Sequence, residues 1–481
     1  MREKIVLIGA GSAMFTRGLL ADMIRQKWEG SIALVDTSPE ALAVAEGLAR
    51  KMIEASGSGL TLCATTDRRE ALPGATAIIC TIGVGGRRAW EQDVLVPRRH
   101  GIYQPVGDSV MPGGTSRALR MIPQAVAIAR DVMDLAPNAL FFNYANPMSA
   151  ICRAVRKATG APIIGLCHGV YKVARRLERL LGLEAGGLSY AAAGINHLTW
   201  FTRLSSGGRD LLPRLRAIAA ERLSTLGSVR VLGDRFTEGG TAARGDVVVD
   251  DLQPLCWELF ETFGVYPAPG DRHVAEFFGT LFSGEGAYYG RTLGVDSYSF
   301  EATIASGDGI FEQMRETARS KSPLGADWFA RISGEHEQVT EIIARIRRDE
   351  PAVYSANLPN RGQVPNLPEG AVVECPALTA GGTLTPVVQP PLPAGAAGLL
   401  ATRFGWVETV VEAALEGSRE KFVQALLLDG AVGSVRTAGR LAEELIAAQA
   451  EYLPLFAREE GENGPEDGAA AAPGHAATEG A

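Results

Sequence analysis

Lys4-Ile5-Val6-Leu7-Ile8-Gly9-Ala10-Gly11-Ser12 is an apolar, partly β-branched run that ends in a Gly-x-Gly turn, with a helix-like stretch, Thr16 to Lys27, directly after it. Glycine at 9 and 11 permits the tight turn and lets the backbone approach a pyrophosphate. The following helix N-terminus offers free N–H groups and a partial positive charge. The third glycine of the usual fingerprint is replaced by Met14. Asp36 stands 25 residues after Gly11, at the end of a second strand-like run. A carboxylate there accepts hydrogen bonds from the adenosine ribose and repels a 2′-phosphate, which favours NAD over NADP. Gly9, Gly11, Ser12 and Asp36 are therefore the expected cofactor-binding residues.

The pattern repeats outward from this unit. Strand-like runs at 32–35, 77–81, 139–143 and 162–167 alternate with helix-like stretches at 39–56, 116–135 and 147–159. Alternation of this kind implies crossover connections and a parallel sheet. Pro123 inside the third helical stretch either kinks that helix or marks a later start. Beyond 198 helical stretches dominate, including 331–348 and 402–416, around a Pro/Gly-rich region from Asn357 to Gly395. The fold class expected is α/β. A Rossmann-type parallel sheet occupies 1–198, and a mixed α/β substrate and oligomerisation domain occupies 199–458. Residues 459–481, with almost no large apolar side chain, are expected to be a disordered tail.

Composition narrows the function. Apolar residues make up 46% and charged residues 21%, with a net charge of -8. No basic field invites nucleic acid. No apolar run reaches the ~18 residues that would span a bilayer. A strand beginning at residue 4 leaves no room for a signal peptide, so a cytoplasmic location is expected. The six scattered cysteines fit free thiols rather than a disulfide framework.

Cys167 ends the fifth strand-like run, in Cys167-His168-Gly169-Val170, where open α/β sheets bind ligands. Thirty residues later comes Gly194-Ile195-Asn196-His197. A thiolate and a neutral imidazole can share one divalent cation and leave positions for substrate oxygens. Spacing alone leaves open a buried cysteine and an unrelated histidine.

An ordered series of blocks resembles glycoside hydrolase family 4. It comprises Gly9-Ala10-Gly11-Ser12, Gly107-Asp108-Ser109 with Pro112-Gly113-Gly114, Leu119 to Pro123, Asn143-Tyr144-Ala145-Asn146-Pro147, Cys167-His168-Gly169-Val170, Gly194 to His197, His273 with Glu276, Gly334 to Glu337, and Pro359-Asn360 with Asn366-Leu367-Pro368. The resemblance implies an NAD-dependent glycosidase with Mn2+, or another divalent metal, held by Cys167 and His197. Asn146 and Asn196 would bind sugar hydroxyls. The implied route oxidises C3 by hydride transfer to NAD+, removes the acidified C2 proton, breaks the C1–O bond by elimination, adds water and returns the hydride. Relatives of this type are commonly dimers or tetramers.

Family members use a tyrosine or a carboxylate as the C2 base. Here the segment Phe263 to His273 supplies Tyr266 and Asp271, with Asp271 preferred. A phenol in that role would need its pKa lowered by the metal. His168 could assist the leaving group or read the substrate, and Asp108 could be the acid or a hydroxyl contact. The Cys-His-Gly sequence resembles the α-glucuronidase and α-galacturonidase branch, in which Arg272, Arg291 or Arg117 would pair with a uronate carboxylate. The alternatives are a neutral-sugar α-glucosidase or α-galactosidase, a plain NAD-dependent sugar or hydroxy-acid dehydrogenase, and a non-catalytic NAD sensor.

Overall fold

The computed structural model describes residues 2–12, 15–226, 253–279, 300–329 and 338–457. The Met14 position, Arg291, the Gly334–Glu337 block and the 459–481 tail lie outside the described residues.

The strands are β1 (Arg2–Ile8), β2 (Glu29–Val35), β3 (Thr61–Thr65), β4 (Ala77–Cys80), β5 (Leu140–Asn143), β6 (Ile164–Gly165), β7 (Ser189–Ile195), β8 (Leu198–Ser206), β9 (Arg209–Asp210), β10 (Tyr266–Ala268), β11 (Val353–Pro359), β12 (Val372–Ala380) and β13 (Thr383–Pro386). The first six pair parallel in the order β3-β2-β1-β4-β5-β6. This is the order of a dinucleotide-binding sheet. It bears out the α/β class, with β3 added, since Thr61-Leu62-Cys63-Ala64-Thr65 is too short and half-exposed to stand out as a run.

Both faces of this sheet are covered. Val6 and Ile8 of β1 enter one core while Ile5 and Leu7 enter the other. Two-sided burial is why these strands read as continuous apolar runs rather than alternating ones. The helix Pro39–Ser56 begins and ends as its residues dictate. The Ser38 hydroxyl accepts the Ala41 N–H, Pro39 occupies the first turn, and Gly57 closes it at φ 64. The helix Met111–Leu135 starts earlier than expected and carries Pro123 within it. Among the described residues no helix is long and apolar enough to cross a membrane.

The Pro/Gly-rich region folds as strands rather than as an interruption. β11 and β12 pair antiparallel and slot between β6 and the β7–β8 hairpin. One row of partners, Gly165, Asn357, Glu374 and Gly194, joins the two halves into a single sheet. The Gly165 backbone can approach β11 because a Cβ there would lie 2.9 Å from the Asn357 Cβ. The expected division at 198 falls within the β7–β8 hairpin, and Trp200 and Phe201 of β8 share a core with Val6 and Ile8.

Candidate active site

The Gly-x-Gly turn is built as its sequence requires. Gly9 has φ +93, and a Cβ on it would sit 2.8 Å from the backbone of Thr81 and Ile82, at the end of β4. A Cβ on Gly11 would meet Asp36 Oδ2 at 2.8 Å and the Ala41 Cβ at 2.6 Å. The Gly11 N–H donates to Asp36 Oδ2 at 2.8 Å, and the Ser38 N–H donates to Oδ1 at 2.9 Å. The acid is thereby fixed beside the turn. The Ser12 hydroxyl accepts the Phe15 N–H at 3.3 Å, where the helix Thr16–Arg25 begins. The cradle is closely fitted and leaves backbone, not side chain, to face a ligand.

A second cluster gathers next to the loop that follows β5, beyond the carboxyl end of that parallel strand. Donor atoms of Asp108, His197 and His273 all lie within 4.8 Å of one another. His197 sits in the β7–β8 turn at φ 69, a left-handed conformation that costs a non-glycine residue about 1 kcal/mol or more and recurs at functional sites. Its ring lies 4.2 Å from that of His273, centroid to centroid. Asp108 Oδ1 accepts the Ser109 hydroxyl at 2.7 Å, and Oδ2 accepts the Asn146 amide at 3.0 Å. Burial alone would raise the Asp108 pKa, but His197, His273 and Arg117 outweigh it and hold the carboxyl below its ordinary value. Burial lowers His197, with Asp108 opposing. Burial and the neighbouring His197 push His273 well below the ordinary imidazole value. Both imidazoles thus lose a proton more readily than a free histidine, and a neutral ring offers its lone pair to a cation or a proton.

Asn196 and Asn146 flank the cluster. The Asn196 amide donates to Glu374 Oε2 at 3.2 Å. The Oδ1 atoms of Asn146 and Asn196 and Nδ1 of His273 are buried and have no hydrogen-bond partner among the described residues. Buried acceptors without partners are costly and mark places where a ligand completes the bonding. Arg117 borders the same space. Its Nε donates to the Asn146 carbonyl at 3.1 Å, and its charge bears on Asp108. Its Nη nitrogens form no hydrogen bond or ion pair with described residues. Arg272 is committed elsewhere, donating to the Thr303 hydroxyl at 2.8 Å.

Cys167 is buried just before the helix Gly169–Leu180, and its Sγ accepts the Gly169 N–H at 3.4 Å. Gly169 packs on Pro269, in the loop that leads to His273. His168 is near enough to His273 to influence its charge. The tight donor cluster is formed by Asp108, His197 and His273, and Cys167 is not among its members.

Both candidate base residues have protein partners. Both Asp271 oxygens accept backbone N–H groups, from Leu255 at 2.9 Å and Cys256 at 2.8 Å, at the start of the helix Pro254–Phe263. Tyr266 is fully buried between Trp257 and Phe260, and its hydroxyl accepts from Arg176 at 3.0 Å. Burial raises its pKa, opposite to what a base needs. Sequence reasoning quoted Ser109 and His273 within blocks but gave them no role. Ser109 lies 88 residues from His197, and His273 is likewise remote from it in the chain, so these pairings carry no local signal.

A family model described as "Family 4 glycosyl hydrolase" matches residues 4–183, and one for the C-terminal domain of the same family matches residues 192–432. An α-glucosidase of Erwinia rhapontici is 33% identical, covering 94% of this chain and 99% of that one. An α-galacturonidase of Bacillus subtilis (strain 168) is also 33% identical, covering 89% and 92%. The crystal structure of lplD from Bacillus subtilis superposes with a TM-score of 0.77 at 31% identity, covering 92% of this chain and 99% of that one. A 6-phospho-α-glucosidase from gut microorganisms, solved with NAD and Mn2+, shares the fold at a TM-score of 0.76 and 20% identity, covering 94% and 99%.

Proposed function

We propose, for a chain that belongs to the family 4 glycosyl hydrolases, that it is an α-uronidase with NAD and a divalent cation, Mn2+ first, as its cofactors. The observation that carries the glycosidase reading is the cluster of Asp108, buried His197 and His273 at the end of a dinucleotide-binding sheet. The residues fit both groups. The Gly9–Gly11 cradle, which a Cβ would fill, suits a pyrophosphate. The neutral imidazole of His197 suits a divalent transition-metal cation, and Cys167, buried just after β6, offers a second donor. When bound, NAD accepts a hydride and the cation acts as a Lewis acid on sugar oxygens.

The chain's own residues divide the remaining work. His197 holds the cation, with Cys167 as its partner ligand. The buried Oδ1 atoms of Asn146 and Asn196 accept sugar hydroxyls and fix the ring. His273, neutral and ring-to-ring with His197, takes the C2 proton in place of Asp271 and Tyr266. His168, close enough to bear on the charge of His273, assists the leaving group. Asp108 anchors His197 through Ser109.

The choice of sugar rests on Arg117, because relatives of both kinds stand at 33% identity. A guanidinium held by one bond to a backbone carbonyl, with both Nη groups unused among the described residues, matches the fork geometry of a carboxylate. The test is turnover of aryl α-glucuronide, α-galacturonide, α-glucoside and α-galactoside with NAD+ and Mn2+, with and without chelator. Uronide cleavage that the chelator abolishes, with no net NADH and with deuterium entering C2 from heavy water, is the expected result. Cleavage of the neutral sugars alone removes the uronidase reading. Stoichiometric NADH from a free sugar would make the protein a dehydrogenase instead.

A further inference from the structure

We infer that Ser109 is a positioning residue that fixes the tautomer and rotation of His197, so that Nε2 is the nitrogen offered to the cation. The inference rests on the reading of His197 as a metal ligand. Ser109 Oγ lies 2.7 Å from Asp108 Oδ1 and 2.7 Å from His197 Nδ1. A serine hydroxyl has one proton and two lone pairs, whereas an ionised carboxylate only accepts. The Ser109 proton therefore goes to Asp108. The contact with His197 can then be a hydrogen bond only if Nδ1 carries the proton and donates to Oγ. A neutral imidazole protonated at Nδ1 has its lone pair on Nε2.

The chain of bonds is anchored at both ends. Asp108 Oδ2 is held by the Asn146 amide at 3.0 Å, in the loop after β5. Ser109 is 6% exposed, and the first turn of the helix Met111–Leu135 presses on its backbone. A Cβ on Gly114 would come within 2.4 Å of the Ser109 carbonyl carbon, so Gly114 is what lets Ser109 reach this depth. At the far end His197 holds φ 69 in the hairpin turn, a conformation that gives its side chain this direction. A histidine ligand whose other nitrogen donates to a carboxylate is a recurrent metal-site device, and here a hydroxyl stands between the two.

The measurement is Mn2+ affinity of the full-length protein, by the electron paramagnetic resonance signal of free Mn2+, alongside NAD+ affinity by calorimetry. Ser109→Ala is expected to weaken Mn2+ binding about 10–100-fold, the usual consequence of losing such a partner, with NAD+ affinity unchanged. Ser109→Thr and Ser109→Val share a shape and differ by the hydroxyl, so Thr should bind Mn2+ like the parent and Val like Ala. An Ala variant with parental Mn2+ affinity overturns the inference, as does a Thr variant as weak as Val. A parent protein that binds no Mn2+ would remove the metal reading of His197, and this inference with it.

Discussion

The Asp271 carboxylate accepts the backbone N–H of Cys256 at 2.8 Å. With the Leu255 N–H on its other oxygen, it closes the start of the helix Pro254–Phe263 and is spent as a cap. Replacing Asp271 by Ala should therefore cost about 1–2 kcal/mol of stability, the range for a lost helix cap. Urea denaturation would show it. Unchanged stability with a collapse in kcat would restore Asp271 to the base role.

On the proposed reading His273 takes the C2 proton. Its Nδ1 is buried without a hydrogen-bond partner among the described residues, and its ring lies 4.2 Å from that of His197. His273→Asn should lower kcat by about a hundredfold or more, the usual contribution of a general base, while KM changes little. C2 deuterium incorporation should slow in step with turnover. A variant whose exchange stays at the parental rate would rule His273 out.

Glu374 links the site to the sheet. It accepts the Asn196 amide and the Thr199 hydroxyl on one oxygen and the Ser355 hydroxyl on the other. Burial pushes its pKa up from 4.5 to about 7, although its three hydrogen bonds act the other way. The folded state thus keeps a proton that the unfolded chain releases between those values. Its stabilising effect is complete below pH 4.5 and is lost as pH rises through 7, a change of about 3 kcal/mol at most. Glu276 and Asp429, raised to about 8 and about 7, act in the same direction. The melting temperature of the parent should fall more steeply between pH 5 and 8 than that of Glu374→Gln. Parallel curves would contradict the assignment.

Asp93 and Arg120 form a fully buried pair, with Nη2 and Oδ2 2.5 Å apart, between the helices Gly86–Arg98 and Met111–Leu135. Ser116 and Gln449 complete the hydrogen bonds of the carboxylate. Asp93→Ala leaves a buried guanidinium without its counter-charge and should cost about 3–5 kcal/mol. A loss below about 1 kcal/mol in denaturant titration would show that the pair is relaxed by water.

The dinucleotide half was legible in the amino-acid order because its determinants are local. Strand, turn and helix are consecutive, and Asp36 reaches back to Gly11 across a single crossover. The metal half was legible only as fragments. Asp108, His197 and His273 come from three distant segments, a loop, a hairpin turn and a short helix, and only tertiary packing brings them together. The same packing sets Asp271 against backbone donors and buries Tyr266 beside Arg176, surroundings that an acid and a phenol do not reveal in one dimension. The Asn357 to Gly395 stretch shows the reverse case. Its prolines and glycines suggested an interruption, yet the pairing of β11 with β6 and of β12 with β7 overrode local preference and turned it into the seam of the sheet.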